Sequence, residues 1–182
     1  GKVAIVTGAG RGQGRADAVT LAAEGATVVV ADIAAQIESA TYPLATREEL
    51  DETVRLVEAA GGRCVGVVAD IRDTAQVAAL ADRTLEAFGR IDILVANAGI
   101  CTAKAADQIT DQDWDEVLAI NLKGTFICSQ EALPLLKRAG GGSIVIISSI
   151  SGQFGGPRTA HYAASKAGQI SLGQVIARFG AQ

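Results

Sequence analysis

The sequence predicts an α/β fold built on a doubly wound parallel sheet, and three observations carry the prediction. Short apolar, β-branched runs alternate with stretches of helical periodicity along the whole chain. The first such run, Val3–Val6, is apolar throughout rather than alternating, as a strand covered on both faces is. The 182 residues, 49% hydrophobic with 21 glycines, suit a single domain with many tight turns. A chain of this length buries roughly 70% of its unfolded surface.

In order, Val3–Val6 is the first strand, and Arg15–Ala23 follows at helical spacing after a glycine turn. Ala26–Ala31 is the second strand, ending at Asp32. Ile33–Thr46 is irregular and longer than the usual βα connection of about 2–6 residues. Thr46 and Glu49 form a capping box, and the helix behind it places Leu50, Val54 and Val57 on one face before Gly61 and Gly62. Arg63–Ala69 is strand three, followed by Asp70; Thr74–Phe88 is a helix closed by Gly89. Ile91–Ala96 is strand four and runs into Asn97-Ala98-Gly99. Thr110 caps a helix over Asp111–Arg138, Ser143–Ser148 is strand five, and a polar turn, Ser149–Gly156, leads to a last helix over Arg158–Phe179. The expected strand order is 3-2-1-4-5, with the switch point between strands one and four.

Both loops at that point are unusual, and both suit a nucleotide. Thr7 and glycines 8, 10, 12 and 14 sit between a strand and a helix start. Glycines let backbone N–H groups approach a pyrophosphate, and the helix N-terminus adds partial positive charge. Asp32 stands 18 residues after Gly14, where a carboxylate accepts hydrogen bonds from ribose hydroxyls and repels a 2′-phosphate. That favours NAD over NADP, although Arg11 and Arg15 pull the other way. Tyr162 and Lys166 are four apart on one helix and share a face, with Ser149 upstream at a strand end. Taking a proton from an alcohol needs a base near neutral pH, and a free tyrosine has a pKa of about 10. An ammonium beside the phenol favours the phenolate; bringing it to neutrality corresponds to roughly 4 kcal/mol.

Composition narrows the partners. A net charge of −4 without a basic run argues against nucleic acid and anionic membrane, and no apolar run is long enough to span a bilayer. Residues 1–182 open on no charged-then-apolar stretch, so secretion is not expected, with trimming before Gly1 left open. Cys64, Cys101 and Cys128, with His161 the single histidine, give no zinc spacing and no disulfide framework, so no metal is expected and the cytoplasm is the natural compartment. A serine–histidine hydrolase built on Ser149 and His161 lacks the G-x-S-x-G elbow.

The turn T-G-x-x-x-G-x-G, Asn97-Ala98-Gly99, Asn121, Ser149 and Tyr162-x-x-x-Lys166 have the order and spacing of the short-chain dehydrogenase/reductases, whose Rossmann-type fold the whole chain resembles. The resemblance implies that Asn121, Ser149, Tyr162 and Lys166 are catalytic, with Asn121 perturbing its helix and holding a water toward the lysine. It implies that Gly8, Gly10, Arg11, Gly12, Gln13, Gly14, Asp32, Asp70, Ile71, Asn97, Ala98, Gly99, Tyr162 and Lys166 bind NAD. Cys101, Ser151, Gln153 and Phe154 are expected on the substrate side. Trp114 and Phe126 are expected to serve packing or an interface. The two long helices are expected to pair in a dimer or tetramer. The Asp32–Glu58 region and the Gly12-Gln13-Gly14 turn narrow the resemblance to the mycofactocin-coupled branch, often called carveol dehydrogenases, which oxidises secondary alcohols and holds NAD tightly.

The family's sixth and seventh strands and its substrate-covering helices find no counterpart, so residues 1–182 are expected to form one NAD-binding domain shortened at the carboxyl end. Two readings follow: an NAD-dependent alcohol dehydrogenase whose lid lies elsewhere, or a nucleotide-binding module without turnover. The four intact catalytic residues favour the first. Ile33–Thr46 is expected to fold over the adenine and slow NAD release; packing on a neighbouring helix is the alternative for its apolar residues.

Overall fold

A computed structural model describes residues 1–180; Ala181 and Gln182, the end of the expected domain, lie outside the described residues. Five parallel strands form one sheet in the order β3-β2-β1-β4-β5. They are β1 (Val3–Thr7), β2 (Thr27–Asp32), β3 (Cys64–Val68), β4 (Ile93–Ala96) and β5 (Ser143–Ile146). Helices α1 (Gly12–Ala23), α2 (Arg47–Ala59) and α3 (Thr74–Phe88) connect the first four strands. Between β4 and β5 run α4 (Asp111–Leu118), a π-helical turn (Ala119–Gly124) and α5 (Thr125–Arg138). A short α6 (Ser151–Phe154) and the long α7 (Ala160–Gly180) follow β5.

The expected elements are all present, with shifted ends. α1 begins at Gly12, inside the glycine turn, where Arg15 N donates to Arg11 O (3.4 Å). β5 stops at Ile146 instead of Ser148, where Ile147 N still donates to Ala96 O (3.1 Å) but Ser148 N turns back to Ile146 O (3.1 Å). The single helix expected over Asp111–Arg138 is interrupted by the π turn centred near Asn121, and the polar turn Ser149–Gly156 contains α6.

The central strands β1 and β2 pair in register from Val3 with Thr27 to Thr7 with Ala31. Every residue of β1 is buried, as the unbroken apolar pattern requires. One core face joins Ile5, Val29 and Leu94 to α3, α4 and α5; the other joins Val6, Val28 and Val30 to α1 and α2. Asp92, just before β4, is 1% exposed and closes the amino edge of the sheet. Its carboxylate accepts from Val3 N (2.9 Å), Lys2 Nζ (3.0 Å) and Arg90 (2.8 and 2.6 Å). Parallel pairing places all carboxyl ends on the opposite edge.

Candidate active site

At that carboxyl edge β1 ends in Thr7 and the chain turns through Gly8 and Gly12, both in the left-handed region (φ 65° and 59°). A Cβ on Gly8 would lie 2.6 Å from Ala98 Cα, and one on Gly10 would lie 2.6 Å from Ala45 Cβ, so only bare backbone fits the turn. α1 starts without a side-chain cap and without an acid in its first turn. The N-termini of α2, α3 and α4 are instead capped by Thr46, Asp73 and Thr110. The uncapped N–H groups and the dipole of α1 therefore remain available to an anion.

A cavity of about 270 Å³ opens beside this turn. It brings together Gly8, Arg11, Gly12, Asp32, Asp70, Ile71 and Asn97–Gly99 from the expected cofactor set, with Ile33, Ile37, Tyr42, Leu44 and Ala45 from the connection after β2. Gln13 is exposed on α1 and Gly14 is buried under the turn, so neither lines it. Asp32 Oδ2 accepts from Gly10 N (2.9 Å) and Oδ1 from Ala34 N (3.2 Å), which fixes the carboxylate at the cavity rim. Arg15 is spent within the protein: it donates to Thr53 Oγ1 (2.9 Å), Glu49 O (2.8 Å) and Gly10 O. Arg11 donates to Pro43 O. Burial works against the Asp70 charge, but the Arg72 guanidinium, 2.6 Å from Oδ2, holds its carboxyl below the ordinary value.

Asn97 Nδ2 donates to Thr7 O (2.9 Å) and Gly8 O (3.1 Å), tying the end of β4 to the glycine turn. Thr7 Oγ1 accepts from both Asn97 N and Ala98 N (3.2 Å each). The connection Ile33–Thr46 both lines the cavity and packs on the helix beyond it. Ile37 and Ala40 are buried in the cluster that contains Val117 and Ile120, and Ser39 N donates to Glu116 Oε2 (3.1 Å). Gln36 laces the loop through Ala40 O (2.9 Å) and Leu44 N (3.0 Å), and Tyr42 Oη accepts from Cys101 N (3.0 Å).

The second half of the site belongs to α7. Its buried residues, His161, Ser165, Lys166 and Gln169, are all polar, the reverse of an ordinary packing face. Lys166 is 4% exposed and its Nζ donates to Ile147 O (2.6 Å). Burial pushes its pKa down to about 8, with the Cys101 thiol acting weakly in the other direction. The ammonium lies 5.6 Å from the centroid of the Tyr162 ring. Ser149, just past β5, accepts from Ser151 N (3.2 Å). Asn121, fully buried in the π turn, brackets Ile100: Oδ1 accepts from Ile100 N and Nδ2 donates to Ile100 O (2.9 Å each). Its main-chain carbonyl accepts from Thr125 Oγ1 and Gln169 Nε2 (2.7 Å each).

Of the expected substrate-side residues, Cys101 is exposed beside Tyr42, while Gln153 and the 81% exposed Phe154 stand out from α6 and Ser151 is half-buried there. None of these four lines the cavity. Trp114 and Phe126 are 39% and 46% exposed, so they are surface residues of α4 and α5 and not core. Sequence reading missed Thr7, Thr53, Thr102 and Gln169 as organisers of the site. Gln169 had a signal: Tyr162, Ser165, Lys166 and Gln169 follow i, i+3, i+4, i+7 with polar types throughout.

Residues 2–182 match the family described as short chain dehydrogenase. An uncharacterised NAD-dependent oxidoreductase of Mycobacterium tuberculosis is 46% identical over 179 residues, covering 97% of this chain and 65% of that protein. The (−)-trans-carveol dehydrogenase of Rhodococcus erythropolis is 40% identical over 179 residues, again 97% of this chain and 65% of its own. The chain thus spans slightly under two thirds of these curated relatives. The crystal structure of an NAD-bound short chain dehydrogenase from Mycobacterium paratuberculosis superposes with a TM-score of 0.95 at 44% identity, over 97% of this chain and 66% of that one. A carveol dehydrogenase from Mycobacterium avium in complex with NAD gives a TM-score of 0.91 at 42% identity, over 94% and 63%.

Proposed function

The chain belongs to the short-chain dehydrogenase family, and from that premise we propose that it is the NAD-binding and catalytic part of an alcohol dehydrogenase acting on secondary alcohols. The observation that carries the reading is Lys166: a buried lysine with a lowered pKa, beside Tyr162, on a helix face where packing alone would call for apolar residues. The residues around the cavity fit NAD. The side-chain-free turn and the uncapped start of α1 suit a pyrophosphate, and Asp32, presented at the rim, suits two ribose hydroxyls. Both basic side chains of the turn are already engaged, Arg15 with Gly10, Glu49 and Thr53 and Arg11 with Pro43 O.

Bound NAD supplies the hydride acceptor. Tyr162 takes the hydroxyl proton of the alcohol, and Ser149 holds that oxygen through its own hydroxyl. Lys166 contributes positive charge beside the phenol. Asn121 acts through structure: it fixes Ile100 and, by its 3.1 Å contact to Ser165 Oγ, the helix that carries Tyr162 and Lys166. The relatives named carveol dehydrogenase point to cyclic terpenoid alcohols as the first substrates to try. The apolar groove of Phe126, Leu133, Pro134, Ile176 and Phe179 between α5 and α7 supports association of two copies through these helices.

The test is direct. The full-length protein should reduce NAD with carveol or a related secondary alcohol, and Tyr162→Phe should lower turnover by at least ~10³-fold while NAD affinity stays within about twofold. Turnover retained by Tyr162→Phe would remove the tyrosine mechanism.

A further inference from the structure

His161 is the single histidine of the chain and sits one residue before Tyr162. Its side chain is fully buried, its Nε2 lies 2.8 Å from Thr102 Oγ1, and its Nδ1 is buried without a protein partner among the described residues. Burial pushes its pKa down; of its charged neighbours, Asp113 at the start of α4 acts upward and Lys104 downward. A buried imidazole half-satisfied in this way costs free energy unless the one bond it makes matters.

What that bond holds is visible along α7. His161, Ser165 and Gln169 fall at i, i+4 and i+8, one row on the helix, and each makes one rung of a ladder. His161 meets Thr102; Ser165 meets Asn121 Nδ2 (3.1 Å); Gln169 meets Asn121 O and Thr125 Oγ1 (2.7 Å each). Tyr162 and Lys166 each follow a rung by one residue, about 100° further round the helix. The ladder therefore sets the rotation and height of the catalytic pair.

The other side of the first rung is an extended segment with alternating anchors. Ile100 is bracketed by Asn121, Thr102 is held by His161, and Lys104 N donates to Arg158 O (2.9 Å) while its Nζ reaches Asp113 (2.5 Å). Cys101 and Ala103, between the anchors, face outward. We propose that His161 is a positioning residue: through Thr102 it fixes the Tyr162 end of α7 against the segment Ile100–Lys104, and so sets where Cys101 stands relative to Tyr162 and Lys166. The inference rests on the dehydrogenase reading for its kinetic consequence alone.

Thr102→Val keeps the volume, deletes the hydroxyl and so cuts the rung; it leaves His161 Nε2 unpaired, so kcat is read on protein shown by its melting curve to be folded. In the full-length enzyme it should lower kcat about tenfold while the NAD dissociation constant stays within twofold. His161→Phe should do the same, the double variant should be no worse than the more damaged single one, and His161→Gln, which keeps an N–H donor, should recover part of the loss. A purely structural histidine would lower the melting temperature and leave kcat of the folded protein alone; kcat within twofold of wild type in Thr102→Val overturns the proposal. So does an equal loss in NAD affinity. Cys101, the exposed thiol, supplies a readout independent of turnover, since Cys64 is half-buried and Cys128 buried. Its alkylation rate by iodoacetamide should change at least threefold in Thr102→Val, and an unchanged rate overturns the proposal. If the wild-type protein oxidises no alcohol, the functional reading falls and this alkylation arm still decides the role of His161.

Discussion

The two edges of the sheet treat their polar groups in opposite ways. At the amino edge Asp92 is buried, but every donor it needs is present: a main-chain N–H, one lysine and both arms of Arg90. At the carboxyl edge α1 begins uncapped, Lys166 is buried with one carbonyl as its hydrogen-bond acceptor, and His161 and Gln169 each leave one buried polar atom unpaired among the described residues. A fold that satisfies its buried charge so fully at one edge does not lack the means at the other. The difference separates an edge whose buried charge is matched within the protein from one that keeps buried polar groups only partly matched.

The amino edge gives the largest expected effect on folding. Asp92→Asn removes a carboxylate that neutralises Lys2 and Arg90 and should cost about 3 kcal/mol of stability, read by urea unfolding, with the kinetic constants unchanged. Hydrogen bonds from Arg90, Val3 and Lys2, together with the Arg90 charge, hold the Asp92 carboxyl well below the ordinary carboxylate range despite burial. The stabilisation is therefore present above about pH 4 and is lost as pH falls through the lowered folded-state value. The variant should show a shallower acid limb. An equally steep limb would mean that Asp92 is not what distinguishes the two edges.

At the carboxyl edge a single charge should alter preference without altering the fold. Asp32→Ala should weaken NAD binding by about tenfold, ~1.4 kcal/mol, and narrow the gap to NADP. It should not reverse the preference, because Arg15 stays engaged with Gly10, Glu49 and Thr53, and Ala45 packs against Gly10 beside the carboxylate. Titration of both cofactors by fluorescence checks this. A variant that prefers NADP would show that Arg15 is free to swing, and that this edge is less pre-arranged than its hydrogen bonds indicate.

Most of the carboxyl edge was legible in the sequence because its requirements are local. A glycine turn, a capping box at Thr46 and Glu49, and a Tyr–Lys pair at i, i+4 are each written in consecutive residues. Alternation implied a parallel sheet, and the observed sheet has the expected order. Partnerships across the fold were not legible. Nothing in the spacing of Thr102 and His161, or of Tyr42 and Cys101, announces that each pair meets 59 residues apart. The π turn at Asn121 was foreseeable only through family resemblance, and the bracket its side chain makes around Ile100 is a contact across the fold. The same holds for Arg15: its place in the glycine turn pulls toward NADP, and no local pattern announces that it is engaged with Thr53 and Glu49 across the fold.

The smallest expected effect tests the loop that joins the two halves of the site. Ile33–Thr46 begins at Ala34 in the left-handed region (φ 51°), an uncommon backbone state for a residue with a side chain. It is held at Ser39 by Glu116 and internally by Gln36, so its apolar residues stay over the cavity even if one tether is lost. Tyr42 is the outermost tether, its hydroxyl accepting from Cys101 N at 3.0 Å. Tyr42→Phe deletes that bond while keeping the ring against the core cluster. Cys101 is exposed, so water replaces the lost acceptor and the net loss should stay within ~1 kcal/mol. If the loop covers the nucleotide, the NAD dissociation rate should rise about threefold, measured by stopped-flow displacement, with Asp32-dependent discrimination unchanged. Replacing Gln36–Leu44 by a short glycine–serine link removes all tethers together and should raise the rate at least tenfold. A rate unmoved by both changes would make the loop a packing element of α4, and its place along the cavity wall would then serve the fold of the carboxyl edge and not its ligand.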